Sequence, residues 1–111
     1  MPPIEEITPA EARRRMARGS RLLDVREPDE HALGLPEGAL PVPRAALESQ
    51  PARITPDTDA ELLLICGSGR RSMLAAQALQ ARGYTRLCSV AGGFEGWCRE
   101  DLPTTAGAPD D

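Results

Sequence analysis

The run Leu62-Leu63-Leu64-Ile65 stops abruptly at Cys66, and the turn Gly67-Ser68-Gly69-Arg70-Arg71-Ser72 leads from it into a helix-like pattern. Four consecutive aliphatic residues leave a strand no polar face, so it must be covered on both sides, as the strands of parallel sheets are. This run is the most apolar in the chain and is expected to lie at the centre of its sheet. The helix pattern at residues 71–81 places Leu74, Ala75, Ala78 and Leu79 on one face, and Gly83 supplies a left-handed cap.

The rest of the chain repeats the alternation. A strand is expected at residues 4–7, followed by Thr8-Pro9-Ala10-Glu11, a capping box with proline at the first helical position. The helix it starts should run over residues 9–18 and end at Gly19. Residues 22–25 resume as a near-continuously apolar strand, with Asp24 and Arg26 at its C-terminal end. A short helix at 27–33, an irregular stretch with a brief extended piece at 39–42, and a helical turn at 44–47 come next. Residues 51–59 read as a polar connection, 87–90 as the last strand, and 94–97 as a short helix after Gly92-Gly93. Strands alternating with helices call for a single α/β domain, a parallel sheet with helices on both faces, whose ligands gather at the C-terminal strand ends. Cys66 occupies such an end. The domain is expected to span 1–105, and 106–111 to be a flexible acidic tail.

Two glycines within four residues let the backbone curl and turn successive N–H groups toward a common centre that attracts anions. The helix start adds its own unpaired N–H groups and the positive end of its dipole, and a thiolate is one charge that this arrangement favours. Two arginines at an empty helix N-terminus would be repelled by the dipole, so Arg70 and Arg71 suggest an anion to receive. Cys66 is thus the candidate nucleophile, set on the rim of an anion-binding hollow. Arg70 reads equally well as a solvated charge.

Composition narrows the function classes. The chain has 111 residues and a net charge of −4, with 13 basic against 17 acidic side chains, so no broad basic footprint argues for nucleic acid. No segment approaches membrane-spanning length, and the N-terminal stretch is acidic where a secretory signal is basic, so a cytoplasmic location is expected. Cys66, Cys88 and Cys98 are too few and too widely spaced for a disulfide framework or a Cys-x-x-Cys site. No lysine is present, which removes Schiff-base chemistry and the phosphate-binding lysine of a Walker loop. No cofactor and no metal are implied, because His31 has no second histidine or clustered acidic ligands near it in the sequence. His31 reads as an exposed helix position.

Four ordered segments resemble the rhodanese domain family in its small single-domain form. Leu23-Asp24-Val25-Arg26-Glu27-Pro28-Asp29-Glu30-His31 resembles the family's first signature, and Gly34-Leu35-Pro36-Glu37-Gly38-Ala39 resembles its Gly-His-Ile-Pro-Gly-Ala segment. In the second, Leu35 stands where histidine is common, and Glu37 is an insertion between proline and glycine. Cys66 to Ser72 matches the active loop Cys-x-Ser-Gly-x-Arg-Ser, and Gly92-Gly93-Phe94-Glu95-Gly96-Trp97 resembles the C-terminal Gly-Gly-x-x-x-Trp. The resemblance implies a five-stranded parallel sheet and a sulfurtransferase that works through a persulfide on Cys66.

The chemistry of such a loop needs no partner base when the thiol's own pKa is low. Cys66 would take a sulfane sulfur from a small anionic donor such as thiosulfate and pass it to cyanide or a thiol. A sulfur-carrier or thioredoxin-like protein is a further candidate partner. The amides of Gly67, Ser68, Gly69, Arg70 and Arg71 would hold the persulfide charge, with Arg71 and Arg70 attracting the donor. Two alternatives stand beside this reading: a non-catalytic binding module, and a small phosphatase. Against the phosphatase, only four residues separate Cys66 from Arg71, and Ile65 stands where a preceding histidine would be.

Plainer readings apply elsewhere. Cys88, inside an apolar strand, reads as a small core residue, and Cys98 as incidental. Asp24 and Arg26 read as structural support or pocket lining, Trp97 and Phe94 as packing, and Arg13, Arg14, Arg15 and Arg18 as a solvated face interleaved with Glu11.

Overall fold

The computed structural model describes residues 2–106. In chain order its elements are β1 (Glu5–Ile7), α1 (Pro9–Ala17), β2 (Arg21–Asp24), α2 (Pro28–His31), β3 (Leu35–Pro36), β4 (Leu40–Pro41) and α3 (Arg44–Ser49). These are followed by α4 (Pro51–Ile54), β5 (Leu62–Ile65), α5 (Arg70–Ala81), β6 (Leu87–Val90), α6 (Gly93–Arg99) and β7 (Thr104–Thr105). The five-stranded sheet has the order β1-β6-β5-β2-β4, and every pairing in it is parallel. Its central strand is β5, as the apolar run predicts.

Alternation along β5 builds two cores. Leu62, Leu64 and Cys66 face one layer with Leu23, Val25, Leu47, Ala75, Ala76 and Leu79, under α3 and α5. Leu63 and Ile65 face the other with Ile7, Ala12, Leu22, Val90 and Trp97, under α1 and α6. All four residues of β5 are fully buried, so a polar substitution anywhere along it would strand an unpaired group. Thr8 starts α1 by accepting a hydrogen bond from the Glu11 amide at 3.0 Å, which is the half of the expected capping box that fixes the helix N-terminus.

Four expectations need correction. Residues 51–59 are not wholly a connection: Pro51 starts the short helix α4, with the fixed φ of proline suited to the first turn. The buried face of α5 is Ser72, Ala75, Ala76 and Leu79; Leu74 is half exposed, because the helix starts at Arg70 and turns its face toward the sheet from there. His31 is buried rather than exposed, its Nε2 3.1 Å from the Asp24 carbonyl oxygen and 3.3 Å from Asp24 Oδ1. Finally, the irregular stretch contains β3, which pairs antiparallel with β7, Leu35 opposite Thr105. Of the two departures from the family pattern, Leu35 is buried in that ribbon, and Glu37 makes an exposed ion pair with Arg13 of α1 at 2.7 Å. The expected acidic tail lies, from residue 107 onward, outside the described residues.

Candidate active site

The loop between β5 and α5 folds around the Cys66 sulfur. The Gly69 amide donates to Sγ at 3.1 Å, and Ser72, in the first turn of α5, has its hydroxyl 3.4 Å from it. Gly69 makes the turn with φ at +109°, a conformation in which an L side chain is strained. Burial pushes the Cys66 thiol pKa up, but hydrogen bonds from the Ser72 side chain and from the amides of Ser72, Gly69 and Ser68 outweigh it, and the thiol is held below its ordinary value. The amides that do this are those of Ser68 and Gly69, within the run from Gly67 to Arg71 expected to hold a persulfide, and that of Ser72, one residue beyond it.

A second correction concerns exposure. Cys66 does not sit on an open rim: its relative accessibility is 0%. The reason is that its side chain joins the layer under α3 and α5, while the main chain of the loop is clamped from the other face by α6, whose first amides turn toward it. Phe94 N donates to the Cys66 carbonyl at 2.6 Å and Glu95 N to the Gly67 carbonyl at 3.1 Å. With those carbonyls drawn outward, the succeeding N–H groups are free to point at the sulfur. Gly93, with φ at +56°, is what permits the approach. A Cβ there would lie 2.6 Å from both the carbonyl carbon and oxygen of Gly67 and would overlap the Cys66 oxygen.

Arg71 is already partnered. Its two terminal nitrogens meet Glu30 of α2 at 2.6 and 2.9 Å, a bidentate pair that sequence reading did not anticipate. The Arg71 side chain holds the Glu30 carboxyl at a pKa of about 2, and Glu30 in turn raises that of Arg71. The pair lies over Gly67, where a Cβ would be 3.0 Å from Arg71 Nη2 and 3.9 Å from Glu30 Oε2. The same Glu30 carboxylate accepts from the Glu27 amide at 3.0 Å, closing a capping box on α2 that was a legible signal for its position. Arg70, the first residue of α5, is exposed.

Asp24 and Arg26 do not line the site. Asp24 is fully buried and grips Arg26 through both carboxylate oxygens at 2.8 to 3.1 Å, while Arg26 also donates to the Gly34 carbonyl at 2.8 Å and stacks over Phe94, 4.3 Å from the ring centre. They tie β2 to the start of β3 and to α6, and so support the clamp on the loop. Behind the thiol lies a further polar pair: Ser72 Oγ is 2.7 Å from Ser89 Oγ of β6, both fully buried. Nothing in the sequence distinguishes Ser89 from any other strand serine.

Of the remaining thiols, Cys88 lies in the core as its apolar strand predicts. Cys88 is buried, and burial together with the neighbouring Glu5 carboxylate pushes it up to about 12; Cys98 is exposed on α6. No group of His, Cys, Asp and Glu side chains arranged to hold a metal ion occurs among the described residues. Among the same residues no helix is long and apolar enough to cross a membrane.

A parallel five-stranded sheet with a cysteine loop at the end of its central strand, feeding directly into a helix, places the chain among single-domain α/β proteins with a thiol at a C-terminal strand end. Residues 8–100 match the family model described as the rhodanese-like domain. The thiosulfate sulfurtransferase GlpE of Haemophilus influenzae is 34% identical over 102 residues, covering 91% of this chain and 94% of that protein. Among solved structures, a rhodanese-related protein from Thermoplasma volcanium superposes with a TM-score of 0.79 at 27% identity, covering 92% of this chain and 98% of that one. A rhodanese with anions from E. coli gives 0.70 at 27% identity, covering 80% and 100%. The chain belongs to the rhodanese-like domain family and is a rhodanese-type sulfurtransferase, acting between a sulfur donor and an acceptor.

Proposed function

We propose that Cys66 carries the transferred sulfur as a persulfide, taking it from thiosulfate or a similar anionic donor and giving it to cyanide or a thiol. The observation that carries this reading is the convergence of the Ser68, Gly69 and Ser72 amides and the Ser72 hydroxyl on the Cys66 sulfur, which favours a negative charge at that atom. In the first half-reaction the thiolate attacks the outer sulfur of thiosulfate. A new S–S bond forms, the bond from that sulfur to the sulfonate breaks, and its electron pair leaves with sulfite. In the second, the acceptor attacks the terminal sulfur and Cys66 departs as thiolate. No net redox equivalent and no cofactor are consumed.

Arg71 is the donor-binding residue in this reading, with Arg70 at the entrance. The bidentate grip of Glu30 on Arg71 has the geometry that two oxygens of a sulfonate would use, so the donor competes with Glu30 for the guanidinium. Displacement of Glu30 also opens the side of the loop that it and Arg71 cover at Gly67. Gly67, Ser68, Gly69 and Ser72 complete the cradle, and Asp24 and Arg26 support it from beneath. Three unpaired cysteines fit a reducing compartment such as the cytoplasm, and a sulfur-carrier or thioredoxin-like protein would be a natural physiological partner there.

The test begins with the intermediate. Wild-type protein and Cys66→Ser are exposed to thiosulfate and weighed intact, and the wild type alone should gain one sulfur atom and lose it, as thiocyanate, to cyanide. Folded wild-type protein that takes up no sulfur from thiosulfate or from a low-molecular-weight persulfide returns the chain to the reading of a binding module. Turnover of an aryl phosphate would instead favour the phosphatase.

A further inference from the structure

Cys66, Ser72 and Ser89 form a hydrogen-bonded row through the core, from the end of β5 through the first turn of α5 to β6. Sγ lies 3.4 Å from Ser72 Oγ, which lies 2.7 Å from Ser89 Oγ, and all three residues have no exposed surface. Ser89 shares its face of the sheet with Leu87 and so points into the same layer as Cys66, whereas its neighbours Cys88 and Val90 point to the opposite one. Among the described residues neither hydroxyl has another hydrogen-bond partner.

Protons can be counted along this row. With the thiol protonated there are three protons for two links, so one is always left without an acceptor in a site closed to water. With the thiolate there are two protons for two links, and both hydroxyls point toward the sulfur. The stranded proton would remain if the row were shortened to Cys66 and Ser72, so it does not by itself assign a role to Ser89. Ser89 has two effects of its own. Its hydroxyl donates into the Ser72 oxygen and so polarises the Ser72 O–H, which strengthens the charge-assisted bond to sulfur. It also holds the Ser72 side chain toward the sheet. Without it, the serine can rotate and donate to a main-chain carbonyl three or four residues back, in the loop, instead.

We propose that Ser89 is a positioning residue for the nucleophile, acting through Ser72 to favour the ionised form of Cys66; this rests on the reading of Cys66 as the sulfur carrier. The charged groups around the thiol are Arg71 of α5 with its partners Glu30 of α2 and, at greater distance, Glu27. At the end of β2, Arg26 is paired to Asp24. All are left unchanged in the test.

The measurement is the pH dependence of Cys66 alkylation, followed by peptide mass in a Cys98→Ser background so that the exposed thiol does not consume reagent. Ser89→Ala should slow alkylation roughly two- to fivefold below the wild-type midpoint and move the midpoint to higher pH, while Ser72→Ala should slow it roughly tenfold or more. Ser89→Thr, which keeps a hydroxyl, should follow the wild type. In a Ser72→Ala background, Ser89→Ala should have no further effect, because the route runs through the hydroxyl already removed. Ser89→Val provides a second hydroxyl-free variant if alanine impairs folding. An unshifted profile in the hydroxyl-free variants overturns the proposal, and so does a shift of equal size with and without Ser72, which would mean that Ser89 acts by packing. Sulfur uptake is read separately: its absence in the wild type, with these alkylation shifts intact, would strike the sulfur-transfer reading and leave the role of Ser89 standing.

Discussion

Gly93→Ala is the most direct probe of how the loop is held. A methyl group at this position meets the carbonyl carbon and oxygen of Gly67 at 2.6 Å and overlaps the Cys66 oxygen, all of them main-chain atoms that cannot swing aside. The residue also sits at φ +56°, where an L side chain costs about 1–2 kcal/mol. Overpacking a rigid site adds about 1–3 kcal/mol, and the stiffer unfolded chain returns about 0.4–1 kcal/mol. The net loss is roughly 2–4 kcal/mol, which for a domain of this length lowers Tm by roughly 8–16 °C. Gly83→Ala is the control: its φ is +98°, yet nothing lies within 4 Å of the added carbon, so backbone strain acts there without overpacking, at about 1–2 kcal/mol.

Urea unfolding of both variants measures the difference, and alkylation of Cys66 reads its chemical consequence. If α6 is pushed off, the Phe94 and Glu95 amides release the Cys66 and Gly67 carbonyls, the loop amides lose their aim, and the thiol becomes harder to ionise. Gly93→Ala should therefore both unfold earlier and alkylate more slowly at neutral pH. Equal stability of Gly93→Ala and Gly83→Ala would refute the clamp.

Four further outcomes are expected. Asp24→Ala leaves the Arg26 guanidinium buried without its carboxylate and should cost about 3–5 kcal/mol in urea unfolding; a loss under about 1 kcal/mol would mean that the pair is not the support described. Glu30→Gln should lower the KM for thiosulfate by freeing Arg71, and an unchanged or raised KM would count against competition at that guanidinium. Because the folded-state pKa of Glu30 is depressed to about 2, its stabilising effect is fully present above the unfolded value of 4.5 and fades as the pH falls toward about 2, so the urea midpoints of wild type and Glu30→Gln should converge over that interval. Both side chains are about one-third exposed, at 37% and 32%, and the difference at neutral pH should stay below about 1 kcal/mol. Cys88, held at about 12, should stay unlabelled by iodoacetamide at about pH 8 while Cys98 reacts; comparable labelling of both would show that β6 opens more readily than its burial implies.

What could be read in the sequence was what neighbouring residues decide among themselves. The run from Leu62 to Ile65 announced a two-sided strand, Thr8 and Pro9 a helix start, and Gly67 and Gly69 a turn able to gather amides, in which Gly69 alone takes positive φ, because apolar periodicity, capping and turn glycines are properties of a few consecutive residues. His31 was misplaced for the complementary reason. A lone histidine in a polar stretch carries no sign of burial until the chain brings it against Asp24, seven residues back, at the end of a strand. Leu74 looked buried on spacing alone, but the helix phase is set by Ser72 and Ala75 docking on the sheet.

The same distinction separates the parts of the candidate site. Cys66, Gly69 and Ser72 lie within seven consecutive residues, and their meeting requires only one turn. Glu30 reaches Arg71 across 41 positions and Ser89 reaches Ser72 across 17, and both contacts exist only because the parallel order sets β2 and β6 on either side of β5. In a doubly covered parallel sheet the central strand has two neighbours whose C-terminal ends flank its own, so each can send a side chain to a group standing there. Here the β2 side delivers a carboxylate to the arginine and the β6 side a hydroxyl to the serine. The active loop's own residues thus surround the thiol, while the partners of Arg71 and Ser72 come from distant positions, Glu30 marked locally by its capping box and Ser89 by nothing. Substitutions at Glu30 and Ser89 should accordingly alter the donor's KM and the thiol's pH profile independently, since one works through Arg71 and the other through Ser72. A Glu30→Gln, Ser89→Ala double variant whose two effects fail to combine additively would show that the strand ends are coupled through the loop.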